Sequence, residues 1–248
     1  MPVSRIATTA VSEAAARLRA AERLLVLTGA GISAESGVPT FRGPQGLWRQ
    51  FRPEDLATPE AFAREPRLVW EWYAWRRELI APLQPNAAHR ALAALESRVP
   101  SCLLATQNVD GLHAAAGSRR MVELHGTIWG LRCTGCGRAG EDRRLSFPEL
   151  PPRCGCGAIL RPDVVWFGEP LPEAAVGAAF EAARRADVAL VVGTSSLVYP
   201  AASLPEVARA AGAFVIEVNP ETTPLSPLAH VSLRGTAASH VPALVGEP

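Results

Sequence analysis

Leu24-Leu-Val-Leu-Thr-Gly29-Ala-Gly31-Ile-Ser33-Ala-Glu-Ser-Gly37 joins a short apolar run to a glycine-rich turn. Apolar runs without alternation are typical of buried strands in a parallel sheet. Glycines after such a strand let the backbone approach a pyrophosphate, and the start of a following helix offers free N–H groups to it. A bare Gly-x-Gly is weak evidence, because a tight structural turn also explains it.

Three further apolar runs, residues 102–105, 188–192 and 214–218, extend the series of predicted buried strands. Helical patterns precede the runs. Ser12 is predicted to cap a helix over 13–22 and Asn86 one reaching residue 96, while Pro172 and Pro205 open helices reaching residues 186 and 212. This alternation predicts an α/β fold with a doubly wound parallel sheet, which binds ligands at the carboxyl ends of its strands.

The composition, with 248 residues, 48% hydrophobic and 20% charged, fits one large domain or one domain with a small insertion. A net charge of +1 gives no bulk attraction to nucleic acid or to a membrane, so neither is an expected partner. The 25 residues counted as Lys or Arg are all Arg, which excludes a Walker-type lysine and a lysine Schiff base. No apolar run has the length of a signal peptide or a membrane span, so we expect a cytoplasmic protein.

Two stretches interrupt the alternation of strands and helices. Residues 53–85 have a helical pattern with the aromatic run Trp70-Glu-Trp-Tyr-Ala-Trp75. Residues 131–160 contain four cysteines and little apolar periodicity. We interpret both as parts of a smaller lobe.

The residues that follow the predicted strands are small or polar: Gln107-Asn108-Val109-Asp110, Gly193-Thr194-Ser195 and Asn219-Pro220-Glu221. Buried polar side chains are costly unless they bond to something, so a ligand site is indicated. An Asx-turn with a helix cap is an equal alternative for residues 107–110. Glu217 or Asn219 could bind the hydroxyl groups of an adenosine ribose, as acidic and amide residues do in dinucleotide folds.

His125 lies between a short apolar run and Gly126, which suits a side chain that faces a cleft. A lone histidine is more often structural than catalytic, so the position alone does not decide its role. The other histidines, His89, His113, His230 and His240, lie on predicted helix faces or in loops without a motif.

Four cysteines form two pairs, Cys133-x2-Cys136 and Cys154-x-Cys156, separated by 17 residues. Paired thiolates on two turns are typical of a structural Zn2+ site with four protein ligands and no open position. The single residue between Cys154 and Cys156 departs from the usual spacing, and a metal-free ribbon is the alternative. Cys102, within an apolar run, is predicted to pack in the core.

Six ordered motifs resemble the sirtuins: residues 29–42 (GAGISAESGVPTFR), Gln107-Asn-Val-Asp110, Leu124-His-Gly126, the cysteine pairs, Arg161-Pro-Asp-Val-Val-Trp-Phe-Gly-Glu169 and Gly193-Thr-Ser195. The resemblance implies a Rossmann-like lobe (residues 1–36, 86–128 and 165–248) and a small lobe with a helical part (37–85) and a zinc ribbon (129–164). It implies removal of acyl groups from protein lysines with consumption of NAD, giving nicotinamide, O-acyl-ADP-ribose and free lysine, and one structural Zn2+ per chain.

The resemblance also implies roles for individual residues. His125 is the general base on the ribose hydroxyls, Asn108 orients the ribose or a water, and Asp110 holds the nicotinamide amide. Phe41 covers the reactive ribose carbon and Arg42 lies by the phosphates. The other implied NAD-binding residues are Gly29, Ala30, Gly31, Ser33, Ala34, Glu35, Gln107, Val109, Gly193, Thr194, Ser195, Asn219, Pro220, Glu221 and Ala237.

The substrates implied are acyl-lysine proteins, bound as extended peptides by a chain that we expect to be a monomer. Val164, Val165, Trp166 and Phe167 resemble the segment that pairs with the peptide by strand addition. Tyr73 and Arg76 lie three positions apart on one face of a predicted helix. They resemble the Tyr-x-x-Arg signature of sirtuins that prefer succinyl- and malonyl-lysine, because a guanidinium binds a carboxylate bidentately. By composition alone, Arg76 and Arg77 would be ordinary surface charges.

Three other functions compete with this interpretation. Transfer of ADP-ribose to a protein acceptor uses the same departure of nicotinamide with another nucleophile. A non-catalytic NAD- or partner-binding module would not need Asn108, Asp110 and His125 together. A hydride-transferring dehydrogenase does not account for the Phe41-Arg42 loop or for His125-Gly126.

Overall fold

The computed structural model describes residues 3–41, 46–49 and 51–246, with residues 3–9 and 48 described by their backbone alone. Strands within these ranges form two sheets. In chain order the strands are β1 (Arg23–Thr28), β2 (Ser101–Thr106), β3 (Met121–Glu123), β4 (Gly126–Cys133), β5 (Ala139–Glu141), β6 (Leu160–Val164), β7 (Val188–Val192), β8 (Phe214–Val218) and β9 (Val231–Leu233).

The main sheet has the strand order β3-β2-β1-β7-β8-β9, and all neighbours are parallel. β2 lies on one side of β1 and β7 on the other, so the chain switches direction across the sheet at β1. In doubly wound sheets the carboxyl ends of the strands at such a switch form the ligand-binding crevice. The predicted fold class and the four predicted strands are confirmed.

The helices, in chain order, are α1 (Val3–Ala20), α2 (Pro53–Leu56), α3 (Pro59–Arg64), α4 (Pro66–Ile80), α5 (Ala87–Arg98), α6 (Leu112–Ala115), α7 (Glu173–Arg185), α8 (Leu204–Ala210) and α9 (Ala237–Val245). The predicted cap of α5 is confirmed, because the Asn86 side chain accepts the N–H groups of Ala88 and His89. Pro172 immediately precedes α7, and Pro205 lies in the first turn of α8.

Two predicted helix starts were wrong. α1 begins at Val3, so Ser12 lies inside the helix and is not its cap. A serine inside a helix costs little, whereas starting a new helix is costly. Helical turns after Gly29 are two short 3-10 turns, Ala30–Ile32 and Ala34–Ser36, in place of the expected helix start.

Alternate residues of β1 pack on the two faces of the main sheet. Leu24 and Val26 belong to the core under α1, α5 and α9, and Leu25 and Leu27 belong to the core under α7 and α8. Burial on both faces explains why the strand sequences are apolar throughout. Among the described helices, none combines the length and apolarity that crossing a bilayer requires.

The smaller sheet has the antiparallel order β5-β4-β6 and shares one apolar core with helices α2, α3 and α4. Trp70 on α4 donates its indole N–H to the carbonyl of Leu160 at 2.7 Å. Arg77 is fully buried and donates to the carbonyls of Ile128, Arg144 and Gly130 at 2.8, 3.0 and 3.4 Å. Residues 53–85 and 131–160, which interrupt the alternation of strands and helices, therefore pack together beside the carboxyl ends of the main sheet.

Candidate active site

Glycines hold the carboxyl ends of β1 and β7 together. Gly31 donates its N–H to the carbonyl of Gly193 at 2.8 Å. A Cβ on Gly29 would lie 2.8 Å from the Cα of Thr194, and one on Gly31 would lie 2.8 Å from the Cα of Gly193. Close contact between the two turns therefore requires glycine at both positions, and this reason for the Gly-x-Gly sequence is separate from the approach of a pyrophosphate.

Ser33, Asn108 and Asp110 form a buried polar group at the ends of β1 and β2. Asn108 Nδ2 donates to Ser33 Oγ at 3.2 Å and to the carbonyl of Gly29 at 3.1 Å. Ser33 Oγ donates to Asp110 Oδ2 at 2.7 Å, and Leu112 donates its N–H to Asp110 Oδ1 at 2.8 Å in an Asx-turn. A carboxylate has about four lone-pair positions, so Asp110 keeps acceptor capacity for the N–H groups of a ligand amide.

Two histidines that the sequence motifs did not single out lie against this group. His89 Nε2 is 3.3 Å from Ser33 Oγ, and His113 Nε2 is 2.9 Å from Thr28 Oγ1. Burial lowers the pKa of His89 to about 4 and that of His113 to about 3, so both rings are neutral near pH 7. The spacing Asn86-x-x-His89 signals the capping box of α5, but the reach of His89 to Ser33 depends on the fold.

His125 lies in the turn between β3 and β4, half-buried, with its ring orientation fixed. Its Nδ1 is 3.0 Å from the carbonyl oxygen of Gln107. A carbonyl only accepts hydrogen bonds, so Nδ1 carries the proton and the neutral ring leaves Nε2 as an acceptor. Burial lowers the pKa of His125, and the bond to Gln107 opposes this shift. The ring can therefore take a proton through Nε2.

Thr194 connects the ends of three strands, β2, β7 and β8. Its Oγ1 accepts Gln107 Nε2 at 3.0 Å, and its carbonyl accepts Asn219 Nδ2 at 2.7 Å. Asn219 Oδ1 in turn accepts the N–H of Glu221 at 3.0 Å. Predicted NAD-binding residues from β2, β7 and β8 are thus brought to one edge of the sheet.

Glu217, the alternative to Asn219 as a ribose ligand, has a structural role instead. Its carboxylate is 1% exposed and accepts the hydroxyl groups of Thr223, Ser226 and Ser232 and the guanidinium of Arg234. Its acceptor positions are therefore occupied within the protein. Only the fold could reveal this, because three of the four partners follow Glu217 by nine or more residues.

The remaining predicted NAD-binding residues differ in exposure. Glu35 Oε2 accepts the N–H of Ala238 at 2.8 Å and so fixes the start of α9. Arg42 lies outside the described residues. Val109 and Ala237 are buried, Ala30, Phe41, Gly193 and Ser195 are half-buried, and Ala34, Pro220 and Glu221 are exposed.

The segment of Val164, Val165, Trp166 and Phe167 begins at the end of β6 and lies beside His125. The N–H of Val165 bonds to the carbonyl of His125 at 2.9 Å and that of Phe167 to the carbonyl of Ala57 at 2.9 Å. The N–H of Trp166 bonds to the Glu169 carboxylate at 2.8 Å. These three donors are used within the protein, so a peptide that pairs along them has to rely on their carbonyl groups.

Tyr73 and Arg76 lie together on α4, with exposed fractions of 1% and 5%. The Arg76 guanidinium carbon lies 4.9 Å from the ring centre of Phe41 and 4.8 Å from that of Trp72. Within the described residues it makes no hydrogen bond and no ion pair closer than 4.0 Å, in contrast to its neighbour Arg77. The alternative of two ordinary surface charges is therefore wrong for both arginines.

The four cysteine sulfur atoms converge in the ribbon beside β4. All four lie within 4.8 Å of one another, with Cys133–Cys156 and Cys136–Cys154 separations of 3.5 and 3.8 Å. A tetrahedral zinc with Zn–S bonds of about 2.3 Å requires sulfur separations of about 3.8 Å. The donor set thus fits Zn2+, and the short Cys154-x-Cys156 spacing does not prevent convergence. Cys102 is buried in the main core, as predicted.

The sequence and the fold are both similar to those of known Sir2 proteins. The Sir2 family model matches residues 29–200. The NAD-dependent protein deacylase of Aquifex aeolicus is 56% identical over 217 residues, covering 87% of this chain and 91% of the relative. A crystal structure of a Sir2 homolog–NAD complex superposes with a TM-score of 0.89 at 48% identity, covering 94% of this chain and 92% of the other. A Sir2–p53 peptide–NAD+ structure gives a TM-score of 0.83 at 31% identity, with coverage of 93% and 95%.

Proposed function

The chain belongs to the Sir2 family, and we propose from this premise that it removes acyl groups from protein lysines with consumption of NAD. The observation that carries the proposal is the state of His125. Its proton is held on Nδ1 by Gln107, and Nε2 remains an acceptor beside the loop that contains Asn108 and Asp110. A general base in this position needs that tautomer.

The strand ends offer complementary contacts for NAD. Asp110 has unused acceptor capacity for the nicotinamide amide, and the turns around Gly31 and Thr194 present backbone groups and hydroxyls to phosphates and ribose. When NAD is bound, departure of nicotinamide exposes a ribose carbon to attack by the acyl oxygen, and hydrolysis then gives free lysine and O-acyl-ADP-ribose.

The side chains then act as follows. His125 Nε2 takes the proton of a ribose hydroxyl, and Asn108 orients the ribose or a water. Phe41 covers the reacting carbon and excludes bulk water. The sequence motif alone makes Arg42 a candidate to bind the phosphates. The acyl-lysine peptide lies extended beside residues 164–167, where Phe167 is 44% exposed.

Tyr73 and Arg76 support a preference for acyl groups that end in a carboxylate, namely succinyl and malonyl. A buried guanidinium without a carboxylate partner is costly, and a substrate carboxylate would supply that partner. Burial lowers the pKa of Arg76, and the nearby Tyr73 and Asp110 oppose this shift, so the charged guanidinium is attracted toward the residue proposed to hold the nicotinamide amide. The aromatic rings of Phe41 and Trp72 hold the guanidinium in a partly desolvated position.

Arg76→Met is expected to lower the ratio of kcat/KM on a succinyl peptide to kcat/KM on the matched acetyl peptide by about ten- to a hundredfold, the scale of one charge-assisted hydrogen bond. Arg67→Met is the matched control, because Arg67 lies on the same helix with a side chain that is 77% exposed. Equal losses on both peptides in Arg76→Met would contradict the carboxylate-reading role.

The pH profile of kcat/KM provides a separate test of His125. The base must be neutral to accept a proton, and burial lowers its pKa below the ordinary value of 6.5. Activity is therefore expected to persist through pH 6.5 and to fall only at lower pH. An acid limb centred above that value, measured on peptides without titrating groups, would be inconsistent with His125 as the base.

Mass spectrometry of the products distinguishes deacylation from transfer of ADP-ribose to a protein. We expect free lysine in the peptide and O-acyl-ADP-ribose in solution. The chain contains no lysine, so acyl-lysine that disappears comes from the substrate alone. An ADP-ribosylated acceptor with the acyl group still on the lysine would be the opposite result.

A further inference from the structure

We infer that Trp166 determines the preference for carboxylate-ended acyl groups, by fixing the phenol of Tyr73 as a hydrogen-bond donor toward them. The inference rests on the proposed function of Tyr73 and Arg76 in reading the acyl group. It adds a residue from outside α4, on the segment that lies beside the substrate peptide.

The bond between the two side chains has a defined direction. Trp166 Nε1 lies 2.9 Å from Tyr73 Oη in a buried setting. An indole N–H only donates, so the phenol oxygen is the acceptor and its own hydrogen points away from the indole. Burial raises the pKa of Tyr73, which keeps that hydrogen in place near neutral pH.

The phenol hydrogen has no acceptor among the residues that the structure describes, although Tyr73 is only 1% exposed. The adjacent Arg76 guanidinium, 5.8 Å from the Tyr73 ring centre, likewise has no acceptor there. Two buried donors without acceptors are costly unless a ligand supplies one. A terminal carboxylate can accept from both, whereas an acetyl group has no oxygen beyond its carbonyl.

The indole is held so that the direction of the bond is kept. The Arg161 guanidinium lies 3.5 Å from the Trp166 ring centre and pairs with Glu169 through contacts of 2.5 and 2.8 Å. Glu169 also accepts the backbone N–H of Trp166 at 2.8 Å. Phe62 packs against the same indole with ring centres 5.1 Å apart. These contacts leave the indole N–H in one position, aimed at the phenol.

An accepted hydrogen bond also strengthens the phenol as a donor, because hydrogen bonds in a chain polarise one another. Without the indole N–H, the phenol hydrogen can rotate and its oxygen loses a partner. Donation to the acyl carboxylate then weakens, while the acetyl reaction lacks that contact from the start.

Trp166→Phe removes the indole N–H and keeps an aromatic ring. We expect it to lower the succinyl-to-acetyl ratio of kcat/KM by about three- to tenfold, the scale of one neutral hydrogen bond, whatever loss is common to both peptides. In a Tyr73→Phe background, Trp166→Phe is expected to change the ratio no further, because its effect passes through the phenol. Trp70→Phe is the matched control and should leave the ratio unchanged, since that indole donates to the Leu160 carbonyl instead.

A succinyl-to-acetyl ratio that is unchanged in Trp166→Phe, or that falls again when Trp166→Phe is added to Tyr73→Phe, would overturn the inference. If Trp166→Phe does not fold, Glu169→Gln loosens the indole without removing it and should lower the same ratio; an unchanged ratio there also overturns it. Arg76→Met separates the two proposals. If Arg76→Met leaves the succinyl-to-acetyl ratio unchanged, the proposed binding of the acyl carboxylate by Tyr73 and Arg76 is wrong. If the ratio falls in Arg76→Met but not in Trp166→Phe, only the proposed role of Trp166 is wrong.

Discussion

His125→Ala is expected to lower kcat/KM for deacylation by about a hundred- to ten-thousandfold, the range that a positioned general base contributes. NAD binding should persist, because the strand-end contacts of Asp110, Thr194 and Asn219 do not depend on the imidazole. The lost group is Nε2, which the bond from Nδ1 to Gln107 keeps available for the ribose hydroxyl. Steady-state kinetics together with calorimetric titration of NAD measure the two effects separately.

His230→Ala is the control for loss of a hydrogen-bonded histidine away from the carboxyl ends of the strands. His230 Nδ1 accepts the N–H of Val215 near the start of β8, and its ring stacks on Phe214 at 4.7 Å. Turnover should be unaffected in this variant. Unimpaired turnover in His125→Ala would instead remove the imidazole from the mechanism.

Cys156→Ser is expected to reduce bound zinc from one ion per chain to well below that and to lower the Tm by on the order of 10 °C. Convergence of four sulfur atoms within 4.8 Å is stabilised by a shared cation, and without it the ribbon loses the interaction that closes it. Strand β4 of the ribbon shares an apolar core with α4, which carries Tyr73 and Arg76. Deacylation should therefore fall together with the metal content. Metal analysis by mass spectrometry and thermal melts provide the two measurements.

Cys102→Ser is the matched control for the zinc prediction, because Cys102 is buried in the main core away from the four sulfur atoms. It should keep full zinc content even if its Tm falls. Full zinc occupancy in Cys156→Ser would show that the Cys154-x-Cys156 half is dispensable, contrary to the expected four-ligand site.

Local sequence patterns were sufficient to predict the features that depend only on residues close together in the chain. The strands over 188–192 and 214–218 follow from short apolar runs, because both faces of the main sheet are covered. The cap at Asn86 and the cysteine knuckle at Cys133 also depend on neighbouring residues alone. Ser12 misled the prediction of α1, since a favourable cap residue can also lie inside a helix.

Contacts between distant residues could not be predicted in the same way. Position 31 has to be glycine because the turn at Gly193 lies against it. His89 reaches Ser33 from helix α5. Glu217 looks like a ribose ligand until its hydroxyl and guanidinium partners are known. The bond from Trp166 to Tyr73 joins two residues that are 93 positions apart, and neither residue alone indicates it.

Nicotinamide release is the most direct measurement of the central claim, that an acyl oxygen captures the ribose carbon of NAD in the crevice beside His125. The purified protein is incubated with NAD and an acetyl-, malonyl- or succinyl-lysine peptide, or with the same peptide carrying free lysine. We expect nicotinamide to form only with the acylated peptide, in equal amount to the O-acyl-ADP-ribose produced. Absence of nicotinamide with acetyl, malonyl and succinyl peptides alike would contradict the proposed function.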